Sequence, residues 1–201
     1  MEDKSDIEIL KEFAKSTGRE IVAKELPYRR TGIRTTQKYK RMVYIPNNPA
    51  KTSIFVWFND PYTRVGQQTI FSGAFIPISS RIKSKLVIRP SIFLDKLNFF
   101  SKTKANKLGN RKFDSKVTIS GKMDTESKRL LSHSRLQYQI LRALEIESYI
   151  SISINELKID FVPELSQTSI FSIINRHGWD IDKNIIEKVF SSIEKIKSII
   201  E

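Results

Sequence analysis

YISISINELKIDFV, residues Tyr149–Val162, reads as a β-hairpin: a β-branched run, an Asn155–Glu156 turn and a second apolar run. The stretch that follows, SIFSIINRHG (Ser169–Gly178), reads as a short helix ended by Gly178. On the N-terminal side, Asp124 is placed to cap a helix through Leu131. Ser132 is placed to cap a second helix, with Leu136, Ile140, Leu141 and Leu144 on its inner face. On the C-terminal side, Ile185, Ile186, Val189, Phe190, Ile193, Ile196 and Ile200 form one stripe of a helix over 182–200.

The N-terminal half has a different texture. Ser5 and Glu8 form a capping box, and Ile9, Leu10, Phe13 and Ala14 share a helical face that Gly18 can stop. Ile21, Val22 and Ala23 add a further turn before Pro27. Four strand-like runs follow: 29–45, TSIFVWF (52–58), 67–78 and 84–90, spaced as in an antiparallel meander. Pro46–Lys51 has turn composition, and Gly73 signals a bulge or a close backbone approach. Residues 91–100 suit a short helix, 101–112 an exposed basic loop, and Val117 and Ile119 a one-face strand. The sum is an α+β fold in a single domain over 1–201, a mostly antiparallel sheet covered by helices, with helices at both ends. The one candidate sub-boundary is the basic loop at 102–112, and cutting there would leave the early strands without a second layer.

The chain has 201 residues, 39% apolar and 28% charged, which excludes a disordered chain and a membrane-embedded one. Its longest apolar runs, such as Ile54–Phe58, are too short to span a bilayer. The acidic start MEDKSDIEIL is not a secretory signal. There is no cysteine, so disulfides, thiolate metal sites and cysteine nucleophiles are excluded. The expected location is the cytoplasm, or the periphery of a membrane.

Net charge is +13, unevenly placed. Leu26 to Met123 holds 20 Lys and Arg against three acids; the remainder holds 15 against 19. Such asymmetry bears on partners. The anion-binding candidates are Arg29, Arg30, Arg34, Lys38, Lys40 and Arg41; then Arg81, Lys83, Lys85 and Arg89; then Lys102, Lys104, Lys107, Arg111 and Lys112. Tyr28, Tyr39 and Tyr62 are placed to stack on bases if the partner is nucleic acid. The alternative is a solvated lysine-rich surface that blunts sheet edges.

No catalytic set emerges. Four D/E-x-K triplets occur (Glu2, Asp114, Glu126 and Glu156 lead them), where composition alone gives roughly two. His133 and His177 have no second histidine at ligand spacing. No G-x-S-x-G or P-loop is present. In KLGNRKFD (Lys107–Asp114), Gly109, Phe113 and Asp114 read as a structural turn: Phe113 enters the core and Asp114 accepts backbone amides. A hydrolase pairing Asp114 with Glu126 or Asp124 ranks last. No cofactor and no metal is expected.

Gly109, Phe113 and Asp114, followed by Val117 and Ile119, then Leu130 and Leu131, then the hairpin and final helix, form an ordered series. In this order they resemble a class of bacterial soluble domains of unknown function that carry a G-x-x-x-F-D element and often follow membrane helices. The likeness covers roughly residues 84–200. It implies no activity. The expectation is a non-catalytic binding or adaptor domain whose basic face meets an anionic protein or membrane surface; the alternative is sequence-nonspecific nucleic-acid binding.

Overall fold

The computed structural model describes residues 5–27, 39–60, 69–79, 82–92, 106–166 and 168–201. Helix α1 (Asp6–Ser16) starts at the Ser5–Glu8 capping box: the Glu8 carboxylate accepts from Ser5 N at 2.9 Å, and Ser5 Oγ accepts from Glu8 N at 3.4 Å. Two amides that the helix cannot satisfy are thereby satisfied. The chain leaves α1 through Gly18, at φ +66°. Eight strands follow: β1 (Val22–Pro27), β2 (Tyr39–Pro46), β3 (Ile54–Asp60), β4 (Thr69–Ile78), β5 (Leu86–Pro90), β6 (Val117–Ser120), β7 (Ile150–Ile154) and β8 (Ser169–Asn175). The other helices are α2 (Arg111–Asp114), α3 (Thr125–Leu131), α4 (Ser134–Leu144) and α5 (Lys183–Ile200), with a 3-10 turn at Pro163–Leu165.

All eight strands join one antiparallel sheet in the order β1-β2-β3-β4-β8-β7-β5-β6. This is the α+β fold that the composition and periodicity suggested, with a helix at each end. One face carries Val43, Ile45, Phe55, Trp57, Ala74, Ile76, Phe171 and Ile173 against the helices. The opposite face carries Ile54, Val56, Phe71, Phe75, Ile170 and Ile174, and is covered by Ile159, Val162 and Leu165 from the β7–β8 connection.

That connection corrects the expected hairpin. Leu157–Val162 is not a strand, and the second arm beside β7 is β8, where a helix was expected. The reason is double burial. From Ile170 to Asn175 every β8 residue is buried, because helices cover one face and the 157–165 segment covers the other. A strand buried on both sides loses its polar alternation and cannot be told from a short helix by periodicity. Asn155 redirects the chain: at φ 52° its amide donates to Ile82 O (2.6 Å) and its Oδ1 accepts from Ile170 N (2.8 Å), so the strand ends there.

Other expectations shift as well. Ile21–Ala23 leads into β1 rather than adding a helical turn. The expected meander holds for β2 to β4, but β5 does not follow β4, because β8 and β7 lie between them. Ser132 does not cap α4. It ends α3, with its hydroxyl on Lys128 O at 2.7 Å, and His133 occupies the N-cap of α4 without a side-chain bond. Residues 93–100, expected as a helix, and 101–105 of the basic loop lie outside the described residues.

Among the described residues β1 is an edge strand, paired only with β2, and exposed along most of its length. Lys24, Glu25 and Pro27 blunt it. Gly73 sits opposite Ile174 in an uninterrupted β4–β8 register, so it marks a close approach and not a bulge. A Cβ there would lie 2.2 Å from Ile173 O and 2.8 Å from Ile174 Cα. Both obstacles are backbone and cannot swing aside. We expect Gly73→Ala to lower stability by about 1–3 kcal/mol, the range for overpacking, read as a lower urea midpoint; an unchanged midpoint would mean that the two strands can separate without penalty.

Candidate functional site

Of the fifteen cations named from sequence, eight lie in described segments. Arg29, Arg30, Arg34, Lys38, Arg81, Lys102 and Lys104 lie outside them. Lys40 and Arg41 stand at the start of β2. Lys40 pairs with Asp60 at 3.2 Å and lies over the Phe58 ring, and Arg41 pairs with Glu25 at 2.8 Å. Lys83, Lys85 and Arg89 lie in or just before β5, and Lys107, Arg111 and Lys112 in or before α2. β2 and β5 are five strand steps apart in the sheet order, about 24 Å at the usual spacing. The described cations therefore form two groups and not one continuous face.

The first group has a distinctive setting. β1 ends at Pro27 opposite Tyr39, so the connection 28–38 leaves from the tip of this strand pair. Leu26 is 50% exposed and Tyr39 43% exposed there. Leu26 stands directly opposite Lys40. In sequence, the connection carries four cations and no acid. Tyr39 was legible as an aromatic near cations. Leu26 was missed, because nothing in the run ELPY shows that its strand is an open edge.

Two members of the second group, Lys83 and Lys85, line a groove of about 860 Å³ at the far ends of β4, β7 and β8, together with Lys158, Asp160, Ile82, Ile159 and Leu165. Those three apolar side chains are themselves buried.

The carboxylates that sequence reading weighed for catalysis are held by the fold. Asp114 ends α2 and accepts from Leu108 N (3.1 Å) and Gly109 N (2.9 Å), while Phe113 is buried and Gly109 sits at φ +88°. Asn110 caps this short helix. Asp124 caps α3 and accepts from Lys83 N and Ser84 N (both 2.9 Å) and Ser127 N (2.7 Å). Partial burial alone would raise its pKa. The donors from Ser127, Ser84 and Lys83 outweigh that and hold it well below the usual carboxylate range. Glu126 pairs with Arg129. His133 and His177 are exposed. Among the described residues, no three His, Asp or Glu side chains are placed to hold a metal ion, and no helix is long and apolar enough to cross a membrane.

Two further polar clusters were not foreseen. Asp180 is buried. Its Oδ1 accepts from Tyr149 Oη (3.1 Å) and Asn175 Nδ2 (3.0 Å), its amide donates to Ser72 Oγ, and its carbonyl accepts from Trp57 Nε1 (2.6 Å). Burial, with the Asp180 charge second, pushes the Tyr149 phenol up to about 12. Glu194 accepts from Ser53, Thr52 and Asn47. Burial opposes its ionisation, but these donors keep its pKa low. Beside it, Arg19 bonds Asn47 and Glu187 and lies against Phe13 and Phe190. Pairs so far apart in sequence leave no local signal.

Compared with family models, with curated proteins and with solved structures, the chain matches none.

Two titrations follow. Asp124 has a depressed folded pKa, so its contribution is complete above its unfolded pKa and disappears as acid protonates the folded form. Asp124→Ala should cost about 1 kcal/mol at neutral pH, as for other caps, and its deficit against the parent should shrink below pH ~4. A deficit independent of pH would refute the assignment. Tyr149 behaves in the opposite sense: its folded pKa is raised, so its contribution is complete below pH 10 and lost as pH rises toward about 12. Tyr149→Phe should cost about 1 kcal/mol, with the gap closing over that alkaline range in urea melts.

Proposed function

We propose that this chain is a non-catalytic binding domain that docks on an anionic membrane surface through the tip of the β1–β2 pair. The observation that carries the reading is the pairing of two exposed apolar side chains, Leu26 and Tyr39, with the cation-rich sequence they bracket. Interfacial binding uses this combination. Apolar side chains enter the boundary between headgroups and acyl chains, and each nearby cation adds about 1 kcal/mol on an anionic leaflet. An aromatic at that depth keeps its hydroxyl in the polar layer. Pure phosphate binding would call for the cations without the exposed leucine. The engagement of Asp114, Asp124, Glu194 and Asp180 by amides and hydroxyls supports a non-catalytic role, since each already serves the fold.

The test is co-sedimentation with vesicles. The protein should pellet with phosphatidylserine-containing vesicles and stay in the supernatant with phosphatidylcholine alone. Arg29→Ala with Arg30→Ala should weaken the partition about tenfold or more, and Leu26→Glu should weaken it in its own right. Equal pelleting with both vesicle types would overturn the reading. So would retardation of a random oligonucleotide at salt concentrations that release the vesicles, which would assign the cations to nucleic acid.

A further inference from the structure

The last helix sorts its charges. Glu187 and Glu194, seven residues apart, face the β2–β3 turn, where Arg19 holds the first and Ser53, Thr52 and Asn47 hold the second. Lys188 and Lys195, also seven apart, point the other way, into a groove of about 580 Å³ between α4 and α5. Both lysines are exposed, and neither has a carboxylate partner among the described residues. The opposite wall carries Tyr138, Arg142 and Ile146. Tyr138 is 60% exposed, more than Leu26, Tyr39 or Ile92. One acid, Glu145, lines the groove and pairs with Arg142 at 3.0 Å, with both side chains more than half exposed.

Tyr138 and Arg142, at i and i+4 on α4, with Ile146 just past its end, form one wall, and Lys188, Ser191 and Lys195, at i, i+3 and i+7, lie along one side of α5. The α5 wall, from Lys188 to Lys195, runs about 10 Å, seven steps of about 1.5 Å. That length takes two turns of a helix or three to four residues of extended chain. Three cations line it against one acid, and that acid is paired with one of the three. The Tyr138 ring and half-buried Ile146 offer apolar contact between the charges. Tyr and Arg are side chains concentrated at interface hot spots. We propose that this groove docks an acidic peptide segment of a partner protein, with carboxylates on Lys188, Lys195 and Arg142 and an aliphatic side chain against Tyr138. The site lies on the helical layer, in the half of the sequence where acids outnumber bases, and is independent of the β1–β2 tip.

The probe is a fluorescein-labelled amphipathic peptide with glutamate and leucine at helical spacing, titrated with the full chain and followed by anisotropy. A peptide with every glutamate replaced by glutamine is the control. The acidic peptide should bind, and the control should bind at least tenfold more weakly. Lys188→Glu with Lys195→Glu should weaken the acidic peptide at least tenfold, and Tyr138→Ala severalfold, with thermal melting unchanged. If the reversed pair lowers melting, Lys188→Gln with Lys195→Gln takes its place and should weaken binding severalfold. Arg29→Ala with Arg30→Ala should leave peptide binding intact, so this site and the membrane tip can fail separately. Equal binding of both peptides, no effect of the lysine variants, or tighter capture of an oligonucleotide of the same charge at this groove would overturn the proposal.

Discussion

Asp180 is the residue on which the two halves of the sheet close. It sits between the end of β8 and the start of α5, and its polar atoms reach β3 through Trp57, β4 through Ser72, β8 through Asn175 and the approach to β7 through Tyr149. Among the described residues no cation pairs with it; neutral donors carry its solvation. A buried carboxyl with that many partners is costly to disturb, because any donor removed leaves an unpaired group in a low-dielectric site. Trp57 adds packing to the same point: its ring stacks on Phe55 at 4.4 Å, and Phe55 meets Phe190 of α5 at 5.5 Å. The polar and apolar contacts converge, so the central strands and the last helix hold each other in register.

Much of this architecture was legible locally. The capping box at Ser5, the cap at Asp124 and the stripe of the last helix announce themselves within one or two turns, because caps and amphipathic faces are short-range features. β3 was legible from its β-branched and aromatic run. What failed was long-range. The order of strands cannot be read from their spacing, and β5 looked like the next member of a meander because nothing in Leu86–Pro90 shows that β8 and β7 take the intervening positions. β8 was misread because its environment, not its sequence, makes it a strand.

The candidate sites follow the same division. Asp114 could be assigned from its neighbours, since its two amide donors lie five and six residues away. The charge asymmetry was countable, but its layout was not: Lys40 and Arg89 are both in the basic half of the chain, yet they sit on well-separated strands. The α4–α5 groove lay in the half of the chain with no excess of positive charge. Its signal was faint but present in the last helix, where lysines at 188 and 195 repeat out of phase with the isoleucine stripe.

The edge at β1, open among the described residues, has a consequence for how copies of this chain meet. Two identical strands that join side by side, head to tail, must set residues of the same sheet face opposite one another. A pairing centred on Lys24 therefore confronts ammonium with ammonium, and one centred on Glu25 confronts carboxylate with carboxylate. Like charges directly opposed are unfavourable. In those two registers the strand is poorly suited to pair with a copy of itself.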